Sequence, residues 1–153
     1  MLARMCLFVI LLLNANTAGA GHFNEQKIFF INNLVNNTIQ YVPDTVDTWQ
    51  SPHMTITRGS GDCEDIAIYK AYKLIKEGLP EENLAYTVGI YTYYVNGVLV
   101  KQWHMYLRVR YNSRYYYLDN LSSNMTKPPF DSLSSLGVLT HNQVLNDSRF
   151  KDK

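Results

Sequence analysis

Between Asn24 and Val35 the apolar residues Ile28, Phe29, Ile31 and Leu34, with Val35 beside them, recur at spacings of three and four. That period predicts an amphipathic helix, ended by Asn36-Asn37, since Asn tolerates left-handed backbone. The period is lost from Tyr41 to Arg58, where Pro43, Pro52, Asp44, Asp47 and Ser51 predict an irregular segment with Trp49 as its apolar anchor. It returns after Gly59-Ser60-Gly61. Asp62 or Cys63 opens a second helix that places Cys63, Ala67, Ala71 and Leu74 along one face. Gly78 followed by Pro80 stops it near Glu77.

Strand signals follow. Leu84 to Tyr94 reads as a strand, Asn96-Gly97 is a two-residue hairpin signal, and Val98 to Tyr111 is the returning strand. Asn112-Ser113 makes a second turn before a third strand, Tyr115 to Asn120. The pattern predicts an α+β fold: a central helix with an N-terminal Cys packed on an antiparallel β-meander, plus an N-terminal helix. Beyond Leu121 the chain turns polar through Pro128-Pro129; Leu133, Leu136, Val138 and Leu139 are expected to tuck a last segment against the sheet, and Asp147 to Lys153 to fray.

At 153 residues the chain is long enough for one domain. Its start reads as an export leader: Arg4, an apolar run from Cys6 to Leu13, and a small-x-small site at Ala18-Gly19-Ala20. The run is too short for an ordinary membrane span. The expectation is a leader over residues 1–20 and a single, exported mature domain over 21–153. Removing the leader leaves Cys63 as the sole cysteine, so no intramolecular disulfide forms, and an unpaired thiol in an oxidising compartment points to use rather than packing. A formal charge of +1 and the lack of any basic stripe argue against a nucleic-acid partner.

The Cys63 thiol is placed at a helix N-terminus, where unpaired N–H groups and the helix dipole favour a thiolate. Asp62 is a good N-cap, but Asp62, Glu64 and Asp65 together oppose ionisation of that thiol, and a nearby cation would resolve the conflict. As ordinary caps and dipole partners the same acids need no metal. A nucleophilic thiol needs a base and a group to orient it; His104 and Asp119 are the residues of those types downstream. If Asn112-Ser113 are the two loop residues, Tyr111 pairs with Arg114, and His104 and Asp119 become diagonal neighbours on one face. A slip of one residue would separate them. His104 shares its face with Tyr106 and Arg108, while Met105, Leu107 and Val109 form the more apolar face. Either both faces are covered near His104, or the helix covers only that end of the strand. A zinc site is a poor reading, because one mature Cys and the scattered His22, His53, His104 and His141 lack ligand spacing.

The segments GDCEDIAIYKAYKLIKEGLP, QWHMYLRV and YYLDNL, with Trp49-Gln50-Ser51-Pro52 before them, resemble the motifs of the bacterial transglutaminase-like cysteine proteinases, which include the LapG-type periplasmic proteases. The resemblance runs from about Trp49 to Leu121; the tail matches only loosely. It implies a papain-like, transglutaminase-type core with Cys63 as nucleophile, His104 as base and Asp119 as orienter. It implies calcium held at Asp62, Glu64 and Asp65. It also implies periplasmic cleavage of a large surface adhesin at an alanine-rich site, which controls biofilm attachment, and a partner in an inner-membrane cyclic-di-GMP receptor. Two alternatives remain open: a transglutaminase-like acyltransferase passing the same acyl-enzyme to an amine, and a non-catalytic calcium-dependent binding module.

Overall fold

The computed structural model describes residues 22–128 and 134–149. The expected leader, Leu133, the side chain of Leu136 and residues 150–153 lie outside the described part. Helix α1 spans Glu25–Thr38, with Asn24 as N-cap accepting from the Lys27 N–H. Of the positions the period predicts it buries Ile28, Ile31 and Val35, while Phe29 stays exposed and Leu34 half-buried. Asn36 and Asn37 do not end it: the Ile39 N–H still bonds to the Val35 carbonyl, and the Asn36 amide reaches into the sheet.

A two-residue strand β1 (Gln40–Tyr41) pairs in parallel with β2 (Ser60–Gly61). Between them lies α2, Pro52–Arg58, where the sequence reads as irregular. Pro52 is not an interruption there. It occupies the first turn, where its missing N–H is not needed and its fixed φ suits a helix, while Ser51 caps the Met54 N–H and Gly59 closes the helix at φ +66°. Central helix α3 spans Cys63–Lys76, as expected, and is buried nearly all round.

Strands β3 (Leu84–Val95), β4 (Val98–Tyr111), β5 (Arg114–Leu118) and β6 (Ser134–Thr140) form an antiparallel sheet in the order β5-β4-β3-β6. Both hairpins have the two-residue turns the sequence signals, with positive φ at Asn96 and Gly97 and at Asn112 and Ser113. Tyr111 pairs with Arg114, which fixes the β4–β5 register. The polar tail supplies β6 against the far edge of β3, with a bulge between Val88 and Gly89. A short helix α4 (His141–Leu145) follows.

The core lies between α1, α3 and the sheet, around Ile31, Val35, Ala71, Leu74, Leu107 and Val109. Both faces of β4 are covered near the histidine: His104 is 4%, Met105 5%, Tyr106 5% and Leu107 0% exposed. This resolves the conflict between His104 and the apolar face of its strand. Among the described residues no helix is long and apolar enough to cross a membrane.

Candidate active site

The loop entering α3 is built around Asp65. Its Oδ1 accepts the Gln50 backbone N–H at 2.7 Å, and its Oδ2 accepts from the Gln50 side-chain amide and from the Asp62 N–H at 3.3 Å. Asp62 and Asp65 form a reciprocal capping box, which satisfies N–H groups that a helix start leaves unpaired. Gly61 is required by space: a Cβ there would lie 2.6 Å from the Asp65 Cβ. Gln50 thus ties the loop after Trp49 to the first turn of α3, and Cys63 is held where that loop meets the helix.

The sulfur is buried. The Cys63 thiol donates to Glu64 Oε2 at 3.1 Å. Burial, then the charge and hydrogen bond of Glu64, push the thiol above its ordinary range, while the Met105 backbone N–H acts in the opposite sense. Burial and the neighbouring Glu64 carboxylate push Asp62 up to about 8, with Asp44 adding to the rise. Glu64 is raised as well, chiefly by burial. Asp62 Oδ1 is buried with no hydrogen-bond partner. The helix start therefore favours the thiol, not the thiolate, chiefly through burial, with the acidic repulsion that the sequence exposes adding to it.

On the adjacent strand, His104 Nε2 donates to Asp119 Oδ1 at 2.7 Å, with both side chains almost wholly buried. Asp119 lies one residue beyond the last β4–β5 pair, Leu107 with Leu118, so the diagonal relation expected from the turn is realised. The Asn120 N–H also bonds Asp119 Oδ1, at 2.8 Å, and the Asn36 amide bonds the Asp119 carbonyl, at 2.8 Å. Cys63 and His104 line one cleft of about 540 Å³, with Tyr41, Asp44, Trp49 and Trp103 on its walls.

The three acids expected to act together divide. Asp62 and Glu64 interact with each other and face the cleft, whereas Asp65 is turned to Gln50 and is not among the cleft residues. Among the described residues no three His, Cys, Asp or Glu side chains meet as a ready metal cage. Two buried, mutually repelling carboxyls with an unpartnered oxygen nevertheless suit a hard cation that takes oxygen ligands.

Sequence reasoning missed three supporting residues. Asn36 is hidden inside an ordinary helix pattern. Lys70 lies in α3, fully buried with its Nζ unpartnered, and burial lowers it to about 7 against the pull of Asp119. Arg149 belongs to the stretch expected to fray. It stacks over Trp49 at 3.9 Å from the ring centroid, pairs with Asp147 and Asp47, and lines the cleft. A lysine amid the apolar positions of a buried helix was the one readable signal among the three.

A cysteine opening the central helix of an α+β fold, sharing a cleft with a strand histidine that is bonded to an aspartate, is the arrangement of a papain-like cysteine protease. The model of the bacterial transglutaminase-like cysteine proteinases (BTLCP) matches residues 14–128. The chain belongs to that family. Among solved structures it is similar to Legionella pneumophila LapG, at 28% identity and a TM-score of 0.59, over 77% of this chain and 69% of that one. A calcium-bound form of the same LapG aligns with a TM-score of 0.60 at 28% identity, over 76% of this chain and 68% of that one. A Cytophaga hutchinsonii protein, 17% identical, shares the fold with a TM-score of 0.56, over 80% of this chain and 38% of that one. No curated protein matches the chain.

Proposed function

We propose that this cysteine protease works through Cys63, His104 and Asp119, with calcium held at Asp62 and Glu64. The observation that carries the reading is the buried His104–Asp119 hydrogen bond on the cleft shared with Cys63, whose thiol is the only one among the described residues. Because Nε2 is committed to Asp119, Nδ1 is the ring nitrogen that serves as base. The thiol proton passes to Nδ1, and the sulfur attacks the peptide carbonyl carbon. The Cys63 backbone N–H, at the helix start, helps hold the oxyanion. The imidazolium then protonates the leaving amine, leaving an acyl-enzyme. His104 next takes a proton from water, the hydroxide attacks the acyl carbon, and the sulfur leaves as the carboxylate product forms. Asp119 keeps the ring in the correct tautomer and orientation throughout.

Calcium would neutralise the Asp62 and Glu64 carboxylates and remove their repulsion of the thiolate. Support comes from the unpartnered Asp62 oxygen and from the calcium-bound relative. Asp65 is left to its bonds with Gln50 and to fixing the loop. The substrate proposed is a large surface adhesin, cut at an alanine-rich site after export of the protease to the periplasm, so that cleavage controls biofilm attachment. An inner-membrane cyclic-di-GMP receptor is the proposed sequestering partner. These last assignments follow from the family resemblance.

Incubation with the organism's large adhesin, followed by mapping of the new termini, tests the substrate. Cys63→Ala is expected to abolish cleavage with the fold retained, and Asp119→Asn to lower the rate by roughly a thousandfold through a misoriented imidazole. Cleavage surviving in Cys63→Ala would sink the assignment.

A further inference from the structure

The β4 strand is only partly covered along the edge that faces the cysteine. Its two hairpin turns set the direction of every backbone group. Val95 with Val98 and Tyr111 with Arg114 flank two-residue loops, so each is a hydrogen-bonded pair. Even-numbered β4 residues from Val98 to Arg110 therefore aim N–H and C=O at β3, and odd-numbered ones from Leu99 to Tyr111 aim them at the β5 side. Strand β5 ends opposite Leu107. The next odd residue is Met105, whose main chain acts on the Cys63 thiol and lowers its pKa, in agreement with that parity. Beyond it Trp103, Lys101 and Leu99 aim their main-chain groups the same way, and on that side, away from β3, no strand among the described residues pairs with them.

This open edge forms one side of the cleft. Lys101, Gln102 and Trp103 line it together with Tyr41, Pro43 and Asp44, and the Gln102 side-chain amide donates to the Tyr41 hydroxyl at 3.0 Å. Exposed edges are ordinarily blunted by charge, proline or a covering segment. Here Val98 to Trp103 has one charge, Lys101, and no proline, and Trp103 is 63% exposed.

We infer that the protein substrate docks as an extended strand along the Leu99–Trp103 edge of β4, extending the sheet up to the sulfur. The proposal rests on the reading of Cys63 as nucleophile, and it specifies how the chain to be cut is held. Main-chain groups of Trp103 and Lys101 exchange hydrogen bonds with alternate residues of the substrate, as in other cases of strand addition. Recognition is then of an extended, unfolded segment, with tolerance of its side chains. A proline or N-methyl group at a position facing the edge blocks it.

The test uses the full chain with calcium and a peptidyl epoxide carrying alanines on both sides of the electrophile. Mass spectrometry follows alkylation of Cys63, and residue-resolved amide exchange compares this adduct with protein alkylated by iodoacetamide. The Lys101 and Trp103 amides are expected to exchange about tenfold more slowly in the peptide adduct, with Val100 and Gln102, already bonded to β3, unchanged. Lys101→Pro removes one edge-facing N–H without touching the β3 ladder. It is expected to slow epoxide labelling about tenfold and leave iodoacetamide labelling unaltered. Alkylation without protection of Lys101 and Trp103 overturns the docking edge alone. Failure of Cys63 to react with either reagent overturns the nucleophile on which it rests.

Discussion

The proton on Cys63 is contested by two neighbours of opposite effect. Glu64 accepts from the thiol and repels the thiolate, while the Met105 N–H stabilises the anion. Replacing Glu64 by Gln keeps the shape and removes the charge. In the presence of chelator, Glu64→Gln is expected to alkylate with iodoacetamide at neutral pH about tenfold faster than the parent protein. In calcium the order should reverse, because the variant loses a ligand and the parent loses its repulsion. Equal rates in chelator would mean that Glu64 does not govern the thiol. The identities of these residues were legible in the sequence, including the conflict between acids and sulfur. The depth of burial that makes Glu64 matter was not, because desolvation depends on whatever else covers the group.

The first turn of α3 behaves as one electrostatic element. Asp62 sits at about 8 and Asp65 at about 6, both above their ordinary value of 3.8, each chiefly through burial. A carboxyl with a raised folded pKa holds its proton in the native state after the unfolded chain has released it. Its contribution to stability is complete below the unfolded pKa and is lost as pH rises through the folded one. Chelated protein is therefore expected to lose melting temperature steadily from about pH 4 to about pH 8. Asp62→Asn, neutral throughout, should flatten the upper part of that fall. Calcium should raise the melting temperature more at about pH 8 than at about pH 5, because protons compete for the same oxygens. Scanning calorimetry at a series of pH values checks all three. A further consequence concerns packing: Gly61→Ala forces a Cβ against Asp65 and should lower both melting temperature and activity. The element itself, capped by Asp62 and stopped at Gly78, was legible because caps and stops act within a few residues. Helix α2 is hard to read locally because a proline breaks a helix interior but suits its first turn, and only the Ser51 cap before Pro52 tells the two apart.

Across the molecule, the last described turn closes on the first loop of the cleft. The Trp49 N–H donates to the Arg149 carbonyl at 2.9 Å, and the Arg149 guanidinium covers the Trp49 ring while pairing with Asp147 and Asp47. Arg149→Ala is expected to lower stability by about 1 kcal/mol, since the pairs are partly exposed. It should raise KM for an unfolded protein substrate more than it lowers kcat, by loosening a cleft wall without reaching the sulfur. Arg149→Lys should restore little, lacking the planar fork that grips Asp147 through two bonds. Unfolding curves and initial-rate kinetics separate the two effects. Unchanged kinetics in Arg149→Ala would leave the residue as a tail clamp alone.

The sequence by itself determined whatever short-range stereochemistry governs. Asn96-Gly97 and Asn112-Ser113 specify two-residue turns, the second turn sets the β4–β5 register, and that register brings Asp119 to His104. Capping chemistry put Cys63 at the first position of α3. Only the tertiary structure decided the rest. It turned Asp65 toward Gln50, 15 residues away, and not toward a metal cluster with Asp62 and Glu64. It made the last segment, expected against the sheet from Val138 and Leu139, into the edge strand β6, brought Arg149 onto Trp49, and buried both faces of β4 at His104. Each of these depends on contacts between segments far apart in the chain. Their energies come from packing and desolvation, which no local pattern encodes.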